Sequence, residues 1–212
     1  MPQDGDCLRR HLGRAFGLRP LKMAKNWNNF YLDNSVHLVT GTVHQWQPML
    51  LQPEITEIVY GEINSQSDDF GIVVVAYVIM PEHFHLLVYS TFGIHIKSFL
   101  QSARRAISGK AKILIENNRV EFRSYCRRNN ININAFYELT AGKSNFRFWK
   151  EKPRVIVILN TKNIAGKIDY LHNNPVRRGL VKYPDQWQHS SFGQMVEGKG
   201  MASGCHLGQI PS

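Results

Sequence analysis

The chain has 212 residues, 43% of them hydrophobic, and a formal net charge of +10 from 26 Lys and Arg against 16 Asp and Glu. That length supports one domain with a sizeable core, and no apolar run approaches the ~20 residues of a membrane span. Cys7, Cys126 and Cys205 are odd in number and widely spaced, which argues against a disulfide framework or a cysteine zinc motif and fits a reducing cytoplasm.

Residues 1–25 read as a basic N-terminal extension without the apolar stretch of a secretory signal, and Met23 offers an alternative start. Residues 26–192 read as the folded domain. Its first strand candidate is Val36 to His44, and its first helix candidate is Pro53 to Ser65. Two further strands, Ile72 to Ile79 and His85 to Ser90, flank Pro81-Glu82, which reads as a tight turn because proline cannot donate a ladder hydrogen bond. A helix from Ile94 to Ile115 carries Ile96, Phe99, Leu100, Ala103, Ile107 and Leu114 on one stripe. Arg119 to Thr140 is polar and Asn-rich, and reads as loop. Arg154 to Leu159 is a last strand candidate. Thr161 to Asn173 reads as a helix with Ile164, Ile168 and Leu171 at i, i+4, i+7, stopped by Pro175. Residues 193–212 are rich in Gly and Ser and read as a flexible tail. The order predicts an α+β, ferredoxin-like antiparallel sheet with helices on one face, plus a C-terminal helix bearing Tyr170. There is no internal repeat.

The densest chemical signal is His83-Phe84-His85. On a strand, residues i and i+2 share a face, so both imidazoles project together and can grip one cation, while Phe84 points into the core. A His-x-His pair is by itself common. A second motif, Tyr170-Leu171-His172-Asn173-Asn174-Pro175-Val176-Arg177-Arg178-Gly179, lies downstream.

Together these residues resemble the single-tyrosine HUH transposases, and among them the REP-associated tyrosine transposases, which are related to insertion-sequence transposases of the IS200 type. Met80-Pro81-Glu82-His83-Phe84-His85-Leu86-Leu87 is similar to the metal motif of that family, and Tyr170 to Val176 to its nucleophile helix. Phe148-Trp149-Lys150-Glu151 resembles the segment that precedes that helix, and Trp187 to Phe192 the closing Trp/Ser-Ser segment. The family motif often has Asn where this chain has Glu82, and the closing segment usually carries a second Trp near His189.

The resemblance implies a metal-dependent single-stranded DNA endonuclease and strand transferase. Tyr170 would attack phosphorus, form a 5′-phosphotyrosine and release a 3′-hydroxyl. A free phenol titrates near ~10, so it is a weak nucleophile unless a nearby cation favours the phenolate. His83 and His85 would hold the cation, with Asn174, one turn after the tyrosine, as third ligand. Two imidazoles and an amide oxygen suit Mg²⁺ or Mn²⁺ better than structural zinc. Asn174 equally fits a plain helix cap. His172 is a rival ligand, but two positions from Tyr170 it faces another side of the helix.

The charge agrees with a DNA partner, and the resemblance implies single-stranded or hairpin DNA and a place at the nucleoid. Arg104, Arg105, Lys150, Arg154, Arg177 and Arg178 are the candidate DNA contacts, with Arg177 and Arg178 nearest the nucleophile. Phe122, Tyr125, Phe136, Tyr137, Phe146, Phe148 and Trp149 interleave with basic residues and are candidates for base stacking or for the core. A membrane partner is not expected, and a monomer and a homodimer both remain open. Two other functions stay in view: a hairpin-DNA-binding protein without catalysis, and a hydrolase in which His83 and His85 activate water.

Overall fold

The computed structural model describes residues 29–117, 119–140, 143–150, 152–197 and 204–211. The basic extension 1–25, with Cys7 and Met23, lies outside them.

Four strands form one antiparallel sheet: β1 (Ser35–Thr42), β2 (Val73–Ile79), β3 (His83–Ser90) and, later in the chain, β6 (Arg154–Ile158). They lie in the order β2-β3-β1-β6. Helix α1 (Pro53–Phe70) connects β1 to β2, and α2 (Gly93–Asn117) follows β3. This is the β-α-β-β-α-β order of a ferredoxin-like sheet, as the sequence predicts.

One face of the sheet presents Val39, Tyr77, Ile79, Phe84, Leu86 and Val88 to the apolar stripes of α1 and α2. The α2 stripe read from the sequence is buried in full. Helix α1 runs five residues beyond its predicted end. Its start is capped by the Gln52 side chain, which accepts from the Ile55 N–H at 2.7 Å, with Pro53 in the first turn. It stops only at Gly71, whose φ of 61° suits glycine, and the Ile72 N–H closes the end by donating to the Ser67 carbonyl at 2.8 Å.

The opposite face carries Val36, Leu38, Val75, Ala76, Val78, Met80 and Leu87. Val75 and Ala76 share that face because the β2 register shifts between Val74 and Ala76. Helix α4 (Ile164–His172) covers it with fully buried Leu171 and half-buried Ile164 and Ile168. The nucleophile-helix candidate therefore packs on the face that the two long helices leave open.

Three regions depart from the sequence reading. The stretch read as loop contains α3 (Val120–Arg128) and β4 (Tyr137–Thr140), which pairs with β5 (Lys143–Phe146) just beyond it. Pro175 does not end helical structure: it sits in the first turn of a second short helix, α5 (Asn174–Arg177), where its missing N–H costs nothing. Part of the tail read as flexible is docked. Helix α6 spans Phe192–Glu197, Cys205 is buried, and the Gly208 N–H donates to the Val74 carbonyl at 3.0 Å.

The closing segment lines the outer edge of β2. The Ile79 N–H donates to the His189 carbonyl at 2.8 Å, and the Ser191 N–H to the Tyr77 carbonyl at 3.0 Å. Trp187 adds a bond from its indole to the Ile79 carbonyl at 3.0 Å. These bonds satisfy edge groups that would otherwise be open to another strand. Among the described residues, Cys126 and Cys205 are free and buried, and no helix is long and apolar enough to cross a membrane.

Candidate active site

The turn before β3 builds the site. The Met80 N–H donates to the His83 carbonyl at 2.8 Å across Pro81-Glu82, so β3 begins at His83. Alternation then sends Phe84 to the α1/α2 side, where its ring meets Trp149 edge-on at 5.6 Å. Gly41, opposite Phe84 in the register, lets that ring lie over the backbone: a Cβ at Gly41 would stand 2.4 Å from the ring. Phe84 thereby fixes the pleat from which His83 and His85 project to the other face. The two imidazoles lie 4.8 Å apart, centroid to centroid, and each residue is 8% exposed.

Neighbours orient both rings through Nδ1. His85 Nδ1 is hydrogen-bonded to Thr40 Oγ1 at 2.8 Å, from the directly opposed position of β1. His83 Nδ1 lies 3.1 Å from Glu82 Oε1. An imidazole held this way by a hydroxyl or carboxylate presents Nε2 to a cation, the usual arrangement around a bound metal. Burial, with the charges of His83 and Arg154 adding to it, pushes His85 down to about 3, so it is neutral at pH 7 and has a lone pair to donate. Burial pushes the Glu82 carboxyl up, but its hydrogen bonds and charge pairing with His83 and Arg178 outweigh this and hold it at about 2.

Tyr170 reaches the pair from the far side. Its ring centroid lies 6.2 Å from that of His85, and the residue is 38% exposed. Leu171, next in the chain, anchors the helix in the core. The Arg177 guanidinium lies over the Tyr170 ring at 4.6 Å. Three residues separated in the sequence, His83, His85 and Tyr170, thus meet at one corner of the sheet, the histidines buried and Tyr170 exposed.

Asn174 bonds back to the helix: its Nδ2 donates to the Tyr170 carbonyl at 3.0 Å. The capping reading therefore holds for the nitrogen, and the amide oxygen is the end that a cation would take. Among the described residues no three His, Cys, Asp or Glu side chains cluster as a metal site, and the Asn174 amide oxygen is the further donor that the sequence offers beside His83 and His85. The donor set, two oriented imidazoles and an amide oxygen, fits a divalent cation of the Mg²⁺ or Mn²⁺ type. His172 is elsewhere. It is 5% exposed, hydrogen-bonded to Ser191 Oγ at 2.8 Å, and faces Phe192.

The basic candidates divide. Arg154 lies opposite Thr40 on β6, beside His85. Lys150 Nζ lies 5.3 Å from the centre of the Trp46 ring, which in turn meets His83. Arg178 Nη1 lies 2.5 Å from Glu82 Oε1, so its charge is shared with a carboxylate. Arg104 is half-buried against Trp149, and it donates from Nη2 to the Lys150 carbonyl at 2.5 Å. It braces the segment behind the site. Arg105 is exposed on α2, in the helix layer across the sheet from the histidines.

Most aromatics offered for stacking belong to the core: Phe122, Phe136, Phe148 and Trp149 are all buried. Two contributors escaped the sequence reading. Thr40 carries no motif, and only strand pairing reveals it. Trp46 follows the first strand as an isolated exposed indole.

No family model matches the chain. It is 27% identical over 128 residues to a Haemophilus influenzae protein described as "Putative REP-associated tyrosine transposase". That match covers 58% of this chain and 60% of the relative, so the chain spans about three-fifths of the curated protein it matches. A solved structure described as a REP-associated tyrosine transposase bound to a REP hairpin superposes with a TM-score of 0.58 at 18% identity. It covers 89% of this chain and 94% of the other, and the likeness is one of fold. Both comparisons return the family that the two motifs resemble.

Proposed function

We propose that this chain is a single-tyrosine, metal-dependent endonuclease and strand transferase acting on single-stranded DNA beside a hairpin. The observation that carries the reading is the Tyr170 ring 6.2 Å from His85, itself 4.8 Å from His83, within a rim of Lys150, Arg154 and Arg177. The described structural relative binds a REP hairpin, which supports hairpin DNA as the partner.

His83 and His85 would hold a Mg²⁺ or Mn²⁺ ion through Nε2, with the Asn174 oxygen as third ligand. Such an ion supplies charge to polarise the target phosphate oxygens. The Tyr170 oxygen attacks phosphorus, the bond to the 3′ oxygen breaks, and a 5′-phosphotyrosine forms. The phenol proton leaves to solvent, and the departing 3′ oxygen takes one up. Attack by a second 3′-hydroxyl reverses the step and joins strands without ATP, because the phosphodiester bond is conserved in the adduct. Arg177 holds the tyrosine ring from its face and adds positive charge where the phosphate must arrive.

A labelled hairpin oligonucleotide designed from the DNA flanking the gene, incubated with Mn²⁺, tests this. A covalent adduct on a denaturing gel, lost in Tyr170→Phe, is the expected result. A second reading, hairpin binding without catalysis, draws on the lack of a three-residue His, Cys, Asp or Glu cluster among the described residues. Binding without any adduct would favour it. Hydrolysis by activated water is less well supported: the carboxylate beside the histidines, Glu82, is already engaged by Arg178 and His83.

A further inference from the structure

Four rings stand in a row across the site. Trp46 meets His83 edge-on at 6.4 Å, His83 meets His85 at 4.8 Å, and His85 meets Tyr170 at 6.2 Å. The nucleophile candidate occupies one end of the row, and Trp46 occupies the other.

Trp46 is unlike the aromatics around it. It is 55% exposed, whereas Phe148 and Trp149 nearby are buried. Burial does not explain its position. Its backbone is costly: Gln45 and Trp46 are both left-handed, with φ of 49° and 57°, where L side chains are strained. Several bonds hold this turn. The Trp46 N–H donates to the Val43 carbonyl at 3.1 Å, and the Gln47 N–H to the His44 carbonyl at 3.2 Å. On the flanks, the Val43 N–H donates to the Glu82 carbonyl at 2.9 Å and the His44 N–H to the Phe148 carbonyl at 2.8 Å. The Gln47 side chain also accepts from the Asn132 N–H at 2.7 Å. Three separate segments, around Glu82, Asn132 and Phe148, thus hold a strained turn that presents an indole to solvent.

A cation accompanies the indole. Lys150 Nζ lies 5.3 Å from the ring centre, on a backbone fixed by its own N–H to the Thr42 carbonyl at 2.8 Å and by Arg104. An exposed aromatic ring paired with an ammonium group is what an unpaired nucleotide needs: a face for the base and a charge for its phosphate.

We infer that Trp46 and Lys150 form a nucleotide subsite in which an unpaired base neighbouring the scissile phosphate stacks on the indole. This rests on the DNA-cleaving reading above. It adds a site for the base to a centre that otherwise handles only phosphate, and so would help set which phosphate lies before Tyr170.

The test compares two fluorescent probes in EDTA, which prevents cleavage: a dT12 oligonucleotide and a 12-unit abasic oligomer of the same backbone. The wild-type chain should bind dT12 the more tightly. Trp46→Leu should reduce that preference by about fivefold or more, the low end of what stacking one base contributes. Trp46→Phe, which keeps a ring, should retain most of it. Lys150→Ala should weaken both probes alike and lower the salt dependence of binding. An unchanged preference in both Trp46→Leu and Trp46→Phe, or binding by the wild type with no preference for bases, overturns the subsite and leaves the DNA reading standing. Failure of the wild type to bind either probe also overturns the subsite, while the cleavage reading stands or falls separately on the adduct formed with hairpin DNA.

Discussion

Glu82 and Arg178, 96 positions apart, meet at 2.5 Å and tie the turn before the histidines to the chain just after the tyrosine helix. The same carboxylate oxygen lies 3.1 Å from His83 Nδ1, so one atom serves both the metal-ligand candidate and the nucleophile arm. Glu82 is nearly buried at this point, whereas Arg178 is about half exposed. The carboxylate stays charged because those two partners outweigh its burial.

Removing either partner should therefore disturb both sides of the site. Glu82→Gln and Arg178→Ala should each lower the rate of adduct formation while leaving the fold intact. Their effects should be less than additive, with a coupling of about 0.5–3 kcal/mol in a double-mutant cycle. Adduct kinetics of the two single variants and the double variant measure it, and full additivity would show that the pair does not act as a unit.

Thr40 orients His85 from the next strand at 2.8 Å. Thr40→Val keeps the shape and removes the hydroxyl. Loss of a group that orients a metal ligand costs about 10- to 100-fold in affinity or activity. Calorimetric titration with Mn²⁺ should show a drop in that range, with no comparable loss of thermal stability.

Gly41 is packed under Phe84, and an added Cβ would fall 2.4 Å from the ring. Gly41→Ala must displace the ring or the strand, and overpacking of this kind costs about 1–3 kcal/mol. Urea unfolding should show the loss. Because Phe84 sits between the histidines, cation binding should weaken as well.

His85 gives a pH signature in the metal-free protein. Its folded value is held near 3, against about 6.5 for an ordinary imidazole. Between these values the unfolded chain binds the extra proton, so stability rises with pH there. The contribution is complete above about pH 6.5 and is lost as pH falls toward 3, by at most about 1.4 kcal/mol per pH unit. Urea midpoints measured from pH 7.5 down to 4.5 in EDTA should fall, and His85→Gln should flatten part of that slope.

What the sequence reveals follows the range of its signals. Strand alternation is local, so His83, Phe84 and His85 can be assigned to faces without coordinates. The stripe of Ile164, Ile168 and Leu171 likewise predicts how Tyr170 is carried, because a helix rotates its faces regularly. Helix α3 is hidden because only Phe122 and Cys126 are buried on it, among arginines that read as loop. The turn at Gln45 and Trp46 has left-handed backbone without Gly or Asn, so no turn residue announces it. Pairings across the fold, such as Glu82 with Arg178 or Thr40 with His85, leave no periodic trace at all. The docked residue Cys205 sits in a Gly- and Ser-rich stretch whose composition suggests mobility, yet it is buried in the core beside Tyr60 and Tyr77.

The covalent step at Tyr170 can be read directly by tandem mass spectrometry of the protease-digested protein after incubation with hairpin DNA and Mn²⁺. The expected product is a nucleotide linked through its 5′-phosphate to the peptide containing Tyr170, absent when His83 and His85 are both replaced by Ala. Cleaved DNA with a free 5′-phosphate and an unmodified Tyr170 peptide, or an adduct on another residue, would contradict it.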